Sequence, residues 1–348
     1  MTFRSNRAEI DGHPQVCHHQ SMMTMRTLSG LSREEIDTFH REGYLVVENV
    51  LPVSALDSVI AEVTREVTAR AGELVAAGRL SRTYEELDFG RQLIAIDAEA
   101  RGLVAAVSSG ALSGPAIFEI IRHPGLLDLA ESLCGPELIA SSVYRLRPKL
   151  PRDARGEVPW HQDSSYFAQD CDQGLIVTIW IPLVDAHIET GCLYVLPRMH
   201  QSEVFRHQPN AAGTYLEIEA ADLPDGKPVA VPIRKGGALL MTNRTPHASF
   251  ENTSDSVRWS MDLRYQGASL PTNAEQDLRN DGSVPPACYP PARDFLVRSR
   301  ERPEDVVTDA AVFHELRTRH RTQYDAGFAN VTPVAEKRRI NPFSLRRW

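Results

Sequence analysis

The sequence predicts a mainly β domain, a barrel or sandwich with helices packed outside it, and three observations support this. Residues from about 138 to 266 break into short runs rich in β-formers, separated by turns. Ahead of them lie three apolar stripes at helical spacing, each bounded by capping or stop residues. With 42% hydrophobic side chains in 348 residues there is material for a sizeable core, and all-β barrels with added helices fill such a length alone.

The elements follow in order. Ser32-Arg33-Glu34-Glu35 is a capping box, Ile36 and Phe39 form the apolar stripe behind it, and Gly43 is a stop. Residues 44–50 read as a strand. Ser54 caps a second helix, in which Leu56, Val59, Ile60, Val63 and Val67 repeat at helical spacing until about Gly78. Residues 79–120 are ambiguous. Pro124 opens a third helix through Leu126, Leu127, Ala130 and Leu133, and Gly135 ends it. Strands are expected at 138–146, 175–181, 192–196, 228–233, 238–242 and 257–265, then a Pro- and Asn-rich loop over 270–292. A last helix covers about 309–322, with Thr308 as its cap. The expected organisation is a disordered tail over 1–28, one domain over 29–330 with its β core at about 138–266, and a C-terminal tail over 331–348.

Composition narrows the function. A net charge of −8 and a pI near 5.9 speak against nucleic acid as a partner, which calls for a basic patch. The short run Lys337, Arg338, Arg339 reads as a solvated terminus, and His18 with His19 as part of the tail. The five cysteines (Cys17, Cys134, Cys171, Cys192, Cys288) are odd in number, scattered and without a CxxC pair. They read as free thiols of a reducing compartment. Arg4 and Arg7 have no apolar run behind them, and no stretch approaches the length of a membrane span. The expectation is a cytoplasmic protein with no membrane partner and an unspecified oligomeric state.

The chemistry concentrates in Trp160-His161-Gln162-Asp163. In an extended chain, residues two apart point to one face, so the His161 imidazole and Asp163 carboxylate converge while Gln162 turns away. Alone, His-x-Asp is a weak signal. A distant third ligand would complete the two-histidine, one-carboxylate facial triad of oxygen-activating iron(II) enzymes, with three positions left open. His247, in Thr245-Pro246-His247-Ala248-Ser249 just after the 238–242 strand, is the candidate. Eleven residues further on, Arg258 lies in a strand, expected over 257–265, that alternates cleanly. Val257, Trp259, Met261, Leu263 and Tyr265 take one face; Arg258, Ser260, Asp262 and Arg264 take the other. That polar face either meets solvent or lines a barrel lumen. In a lumen, an arginine offers a planar fork for a carboxylate.

These motifs together resemble the phytanoyl-CoA dioxygenase-like branch of the iron(II)/2-oxoglutarate-dependent oxygenases. The matching pieces are Phe39-His40-Arg41-Glu42-Gly43-Tyr44-Leu45-Val46-Val47, Trp160-His161-Gln162-Asp163, and Trp180-Ile181-Pro182-Leu183-Val184-Asp185 followed by Glu189-Thr190-Gly191-Cys192-Leu193. His247, Ser249 and Arg258 complete the set, and the resemblance spans about residues 32 to 266. It implies a double-stranded β-helix, the jelly roll of cupin-like barrels, with flanking helices. It also implies that His161, Asp163 and His247 bind iron and form the catalytic centre. Arg258 would grip the distal carboxylate of 2-oxoglutarate with help from Ser249. Thr178 would line the co-substrate pocket. Arg145, Arg147 and Lys149 share one strand face, and Arg147 is taken as the further co-substrate contact. One departure is Pro197-Arg198-Met199-His200, where relatives often carry Pro-Gly-Ser-His; His200 reads as structural.

The implied reaction uses Fe(II), 2-oxoglutarate and O2, with ascorbate as reductant in vitro, and releases succinate and CO2. Halogenating relatives replace the carboxylate ligand with a small residue. Asp163 therefore points to hydroxylation, or a related desaturation or ring closure, of a small-molecule substrate such as a secondary metabolite or an amino-acid-like compound. Residues 79–120, 203–228 and 266–292 are candidate pocket loops, and Tyr166, Phe167, Trp259 and Arg264 candidate wall residues, each equally readable as core or as part of a structural ion pair. Two alternatives stay open: a cupin-type metal enzyme without 2-oxoglutarate, and a non-catalytic binding protein on the same fold.

Overall fold

The computed structural model describes residues 15–16, 30–107, 112–141, 144–167, 174–210, 215–270 and 295–327. Strand β1 (Gln15–Val16) comes first, within the stretch expected to be a tail. The rest of that stretch, the 331–348 tail and all but the first residue of the 270–292 loop lie outside the described residues.

Helix α1 (Arg33–Glu42) starts on the predicted capping box. Ser32 Oγ accepts from the Glu35 N–H at 3.3 Å, and the Glu35 carboxylate accepts from the Ser32 N–H at 2.7 Å. Gly43 closes the helix at φ 84°, a left-handed conformation that suits glycine. Strand β2 (Tyr44–Val47) follows, shorter than expected. Helix α2 (Val53–Ala76) buries Leu56, Val59, Val63 and Val67 as its periodicity predicts. Its N-cap is Pro52 rather than Ser54: proline at φ −63° holds the extended entry, and Ser54 falls inside the first turn. The ambiguous stretch contains α3 (Gln92–Glu99), α4 (Leu103–Val107) and α5 (Pro115–Ile121). Helix α6 (Pro124–Cys134) has Pro124 at its first position and Gly135 after its last, as predicted.

The expected 138–146 strand is two, β3 (Leu138–Ala140) and β4 (Arg145–Lys149). Then come β5 (Val158–His161), β6 (Ile176–Pro182), β7 (Leu193–Val195), β8 (His207–Pro209), β9 (Leu216–Ile218), β10 (Val229–Val231), β11 (Ala238–Thr242), β12 (His247–Ser249), β13 (Arg258–Gly267) and β14 (Phe295–Arg298). Helix α7 (Ala310–Gly327) is capped by Asp309, whose carboxylate accepts from the Ala311 N–H at 2.7 Å, and not by Thr308. The carboxylate one residue later sits two residues before that N–H, within its short reach.

Two sheets form the barrel. One has the order β4-β13-β6-β11, extended by β2 at one edge and by β3 and β14 at the other; the second is β5-β12-β7-β10, with β1 outermost. The chain alternates between them, so that β4, β5, β6, β7, β10, β11, β12 and β13 wind as a double-stranded β-helix, the jelly roll. Apart from β1 on β10, the recorded strand pairs are antiparallel. β-Strand alternation then sorts the side chains. Val177, Ile179, Ile181, Trp259, Met261 and Leu263 face the helices in one hydrophobic core, with Leu56, Val59, Ile117 and Phe118. Thr178, Trp180, Arg258, Ser260, Asp262 and Arg264 alternate with them and face the lumen. Trp180, Leu239, Met241 and Val195 form the smaller apolar cluster between the sheets. No described helix is long and apolar enough to cross a membrane.

Candidate metal centre

Strands β5 and β12 pair so that His161 lies opposite His247, with ring centroids 4.1 Å apart. Beyond His161 the chain stays extended for one residue, Gln162 at φ −114° and ψ 136°, and Asp163 then begins a short 3₁₀ turn. Gln162 does turn away: its side-chain oxygen accepts from the Phe205 N–H and its amide donates to the Arg244 carbonyl, both at 2.8 Å. These bonds pin the intervening residue and leave His161 and Asp163 on one side. One ligating atom from each of His161, Asp163 and His247 lies within 4.8 Å of the others, and all three side chains are buried. Both imidazoles are preset, because His161 Nδ1 donates to the Pro159 carbonyl and His247 Nδ1 to the Thr245 carbonyl, each at 2.9 Å. That tautomer leaves each Nε2 lone pair free for a metal. Burial first, and the neighbouring His247 second, hold the His161 pKa well below the ordinary imidazole value, so its neutral, ligating form prevails.

Asp163 is held as firmly. Arg264 forks onto it, Nε to Oδ2 at 3.1 Å and Nη2 to Oδ1 at 2.9 Å, and the Thr178 hydroxyl donates to Oδ2 at 2.6 Å. Burial would push the carboxyl upward. Arg264, with smaller contributions from His247 and His161, overrides it and keeps Asp163 ionised, far below the usual carboxylate range. Two imidazole nitrogens and a carboxylate, converging from one side in a buried site with their second atoms already bonded, suit iron(II).

Two residues along β12 from His247, Ser249 donates to the Gly191 carbonyl at 3.0 Å. Arg258, 1% exposed, donates to Ser249 Oγ and the Gly191 carbonyl at 3.2 Å each and to Ser260 Oγ, and lies 5.3 Å from the Trp180 ring centroid. Among the described residues it forms no ion pair, its Nε has no partner, and burial pulls its pKa down to about 10. Across the strand pair from Arg258 stands Lys149, 2% exposed, donating to the Ser249 and Phe250 carbonyls at 3.0 and 2.6 Å. Its pKa is pulled well below normal, by burial first and Arg258 second. Two adjacent buried basic side chains with no carboxylate ion-pair partner among the described residues make a place suited to an anion.

The sequence-predicted residues thus fall into groups. His161, Asp163 and His247 come together, and so do Ser249 and Arg258. Thr178 reaches the Asp163 carboxylate, and Arg147 puts its Nε on Asp262 at 2.7 Å. Of the candidate wall residues, Tyr166 lies 6.1 Å from the His161 ring, whereas Trp259 faces away and stacks on Phe89. Trp259 belongs to the core because it occupies the apolar phase of β13. His200 bonds the His40 carbonyl at 3.0 Å, a structural contact. Sequence reasoning left Arg264 as a wall residue or an ion pair and missed its grip on Asp163. Its place on the polar phase of β13, with Arg258, was the available signal.

A jelly roll carrying a buried two-histidine, one-carboxylate cluster defines the class of non-haem metal proteins on cupin-like barrels. Within that class, the family model described as phytanoyl-CoA dioxygenase (PhyH) matches residues 39–260, and the chain belongs to this family. Among curated relatives, "Phytanoyl-CoA dioxygenase domain-containing protein 1" of Rattus norvegicus is 34% identical over 151 residues, 41% of this chain and 50% of that protein. The Bos taurus protein of the same name is 24% identical over 258 residues, 66% of this chain and 87% of its own length. The chain spans about half the length of the first relatives it matches. The solved structure "non-heme monooxygenase; ThoJ apo" shares the fold, with a TM-score of 0.58 and 21% identity over 85% of this chain and 99% of that one.

Proposed function

We propose that this protein is an iron(II)/2-oxoglutarate-dependent dioxygenase that hydroxylates, or otherwise oxidises, a small molecule and releases succinate and CO2. The observation that carries the reading is the coexistence, on one strand, of a metal ligand and the anchor of an anion receptor. His247 belongs to the buried triad, and Ser249 binds the uncompensated Arg258. Two residues of strand span about 6.6 Å, a separation that a five-carbon dicarboxylate bridges. His161, Asp163 and His247 hold the metal in this reading, and Arg258 with Ser249 receives the distal carboxylate. Bound there, iron and 2-oxoglutarate supply the oxidising chemistry, with dioxygen consumed and 2-oxoglutarate decarboxylated.

The chain's own residues supply position and shielding. The Nδ1 bonds keep both imidazoles aimed, and Arg264 with Thr178 fixes the carboxylate plane. Trp180, Leu239 and Met241 line the space between the sheets with apolar surface that excludes water. Lys149 sets the Ser249–Phe250 backbone, and through it the hydroxyl that meets Arg258.

The test is 2-oxoglutarate binding to the Mn(II)-loaded protein without oxygen, alongside succinate release with Fe(II), ascorbate and air. Binding and slow substrate-free succinate release are expected. Arg258→Ala should weaken 2-oxoglutarate binding by roughly 30-fold or more, the loss of a buried charge pair, with the metal retained. A wild-type protein that binds metal but neither binds nor consumes 2-oxoglutarate overturns the reading in favour of another cupin-type enzyme. Loss of metal from Arg258→Ala makes that arginine structural.

A further inference from the structure

The lumen holds a second polar pair beside the triad and the Arg258–Ser249 cluster. Arg147 on β4 and Asp262 on β13 both face inward, on the same strand faces as Lys149 and Arg258, and Arg147 Nε donates to Asp262 Oδ2 at 2.7 Å. The pair is half-finished. Neither Nη of Arg147 has a hydrogen-bond partner among the described residues, and 26% of its side chain is exposed against 8% for Asp262. Asp262 Oδ1 is buried without a partner. A pair kept only for structure would gain from engaging both edges of the fork, and a buried oxygen left bare costs free energy.

Its surroundings place the pair beside the metal centre. Tyr215 lies under Arg147, with the guanidinium 6.0 Å from the ring centroid. Tyr166 lies against His161, with ring centroids 6.1 Å apart, and its hydroxyl accepts from the Leu216 N–H at 2.9 Å. The free edge of Arg147 asks for a carboxylate, and the bare oxygen of Asp262 asks for an N–H. A lone anion would meet the Asp262 charge and a lone cation that of Arg147. A zwitterion satisfies both at once.

We infer that Arg147 and Asp262 form the subsite for the primary substrate, and that this substrate is a small zwitterion of the amino-acid class, its carboxylate on Arg147 and its ammonium on Asp262. The inference rests on the oxygenase reading for the word substrate, but the subsite itself does not depend on metal or 2-oxoglutarate.

The experiment uses the full chain, with and without Mn(II) and 2-oxoglutarate, and measures by ligand-observed NMR and calorimetry the binding of the standard L-amino acids. Each binder is compared with its methyl ester and its N-acetyl derivative. At least one free amino acid should bind, and both derivatives should bind at least about tenfold more weakly, the cost of losing one charged hydrogen bond. Arg147→Gln and Asp262→Asn should each weaken the free amino acid by a similar factor and leave 2-oxoglutarate within about twofold. Arg147→Lys and Asp262→Glu, which keep the charges, should retain part of the binding and serve if the first variants do not fold. The inference is overturned if no amino acid binds a protein that does bind 2-oxoglutarate, or if the ester or N-acetyl compound binds as well as its parent. It also falls if Arg147→Gln loses 2-oxoglutarate, which would return Arg147 to the co-substrate. Amino-acid binding that depends on Arg147 in a protein that ignores 2-oxoglutarate would keep the subsite and remove the oxygenase reading.

Discussion

Arg264→Met tests whether the arginine fork is what keeps Asp163 ionised and aimed. Asp163 is 2% exposed and accepts two bonds from Arg264 and one from Thr178. Removing one partner of a buried pair costs about 3–5 kcal/mol, and the surviving Thr178 bond puts the expected loss near the lower end. For a domain of about 300 residues, about 3 kcal/mol corresponds to a fall in Tm of roughly 5 °C. A divalent cation supplies Asp163 with a replacement charge, so saturating Mn(II) should raise the Tm of Arg264→Met by more than it raises the wild type. Acid should narrow the difference. The folded carboxyl lies far below its ordinary value of 3.8, so its contribution is fully present above that value and is lost only progressively as the pH falls from there toward the lower folded value. The assay is thermal unfolding with chelator and with Mn(II) near neutrality, and with chelator also near pH 3, below the ordinary carboxyl value, for wild type, Arg264→Met, Asp163→Asn and the double variant. A Tm change below about 2 °C, or additive single losses with no coupling between the two sites, would refute the argument.

Gly191→Ala should damage both stability and the anion receptor. Gly191 has φ +74°, and a Cβ there would meet the Phe250 carbonyl oxygen and Lys149 Cδ, each at 2.7 Å. The left-handed backbone alone costs about 1–2 kcal/mol, and the clash displaces the carbonyl that both Ser249 and Arg258 use. Denaturant unfolding should show a loss above about 2 kcal/mol, and 2-oxoglutarate binding should weaken; an unchanged midpoint counts against this. Burial pushes the thiols of Cys134 and Cys192 up to about 12 and about 11. Both are therefore expected to resist alkylation at pH 8 until the protein unfolds, and peptide mapping that finds either one labelled in the native protein would contradict the packing.

What the sequence made legible was what local geometry alone can enforce. The capping box at Ser32 and the stop at Gly43 need only neighbours within one turn. The convergence of His161 and Asp163 needs only an extended Gln162. The alternation of β13 assigned Arg258 and Arg264 to one face without saying what the face would meet. The link from Arg264 to Asp163 joins residues 101 apart. It exists because β13 lies beside β6, whose Thr178 pairs in register with Arg264 and reaches the same carboxylate. No spacing rule encodes such a meeting. Helices α3 and α5 stayed hidden for a different reason: neither has a side-chain cap bond, and tertiary packing on α2 and α4 replaces the local signal. The split of 138–146 also comes from context, since β3 and β4 pair with different ends of the long β13.

The distribution of charge in the lumen connects the metal centre to its ligands. Lys149 and Arg258 face each other across a strand pair; burial and then Arg258 pull the Lys149 pKa down, and burial pulls down that of Arg258. Such a juxtaposition is unfavourable in a folded protein unless something binds there. Asp163 meanwhile accepts the Arg264 fork and, under the proposed function, would also face a metal ion, and one carboxylate cannot neutralise both. Only Asp262 offers a further carboxylate on the β13 wall, and Arg147 already shares it. Under the proposed function, a dicarboxylate would supply the negative charge that Arg258 lacks, and binding free energy would be gained because the protein has already taken the cost of holding its basic side chains together out of water. The same arrangement explains why apolar residues pack the other face of β13 so tightly. Trp259, Met261 and Leu263 provide the burial that offsets a strand whose inner face, empty of ligand, works against folding.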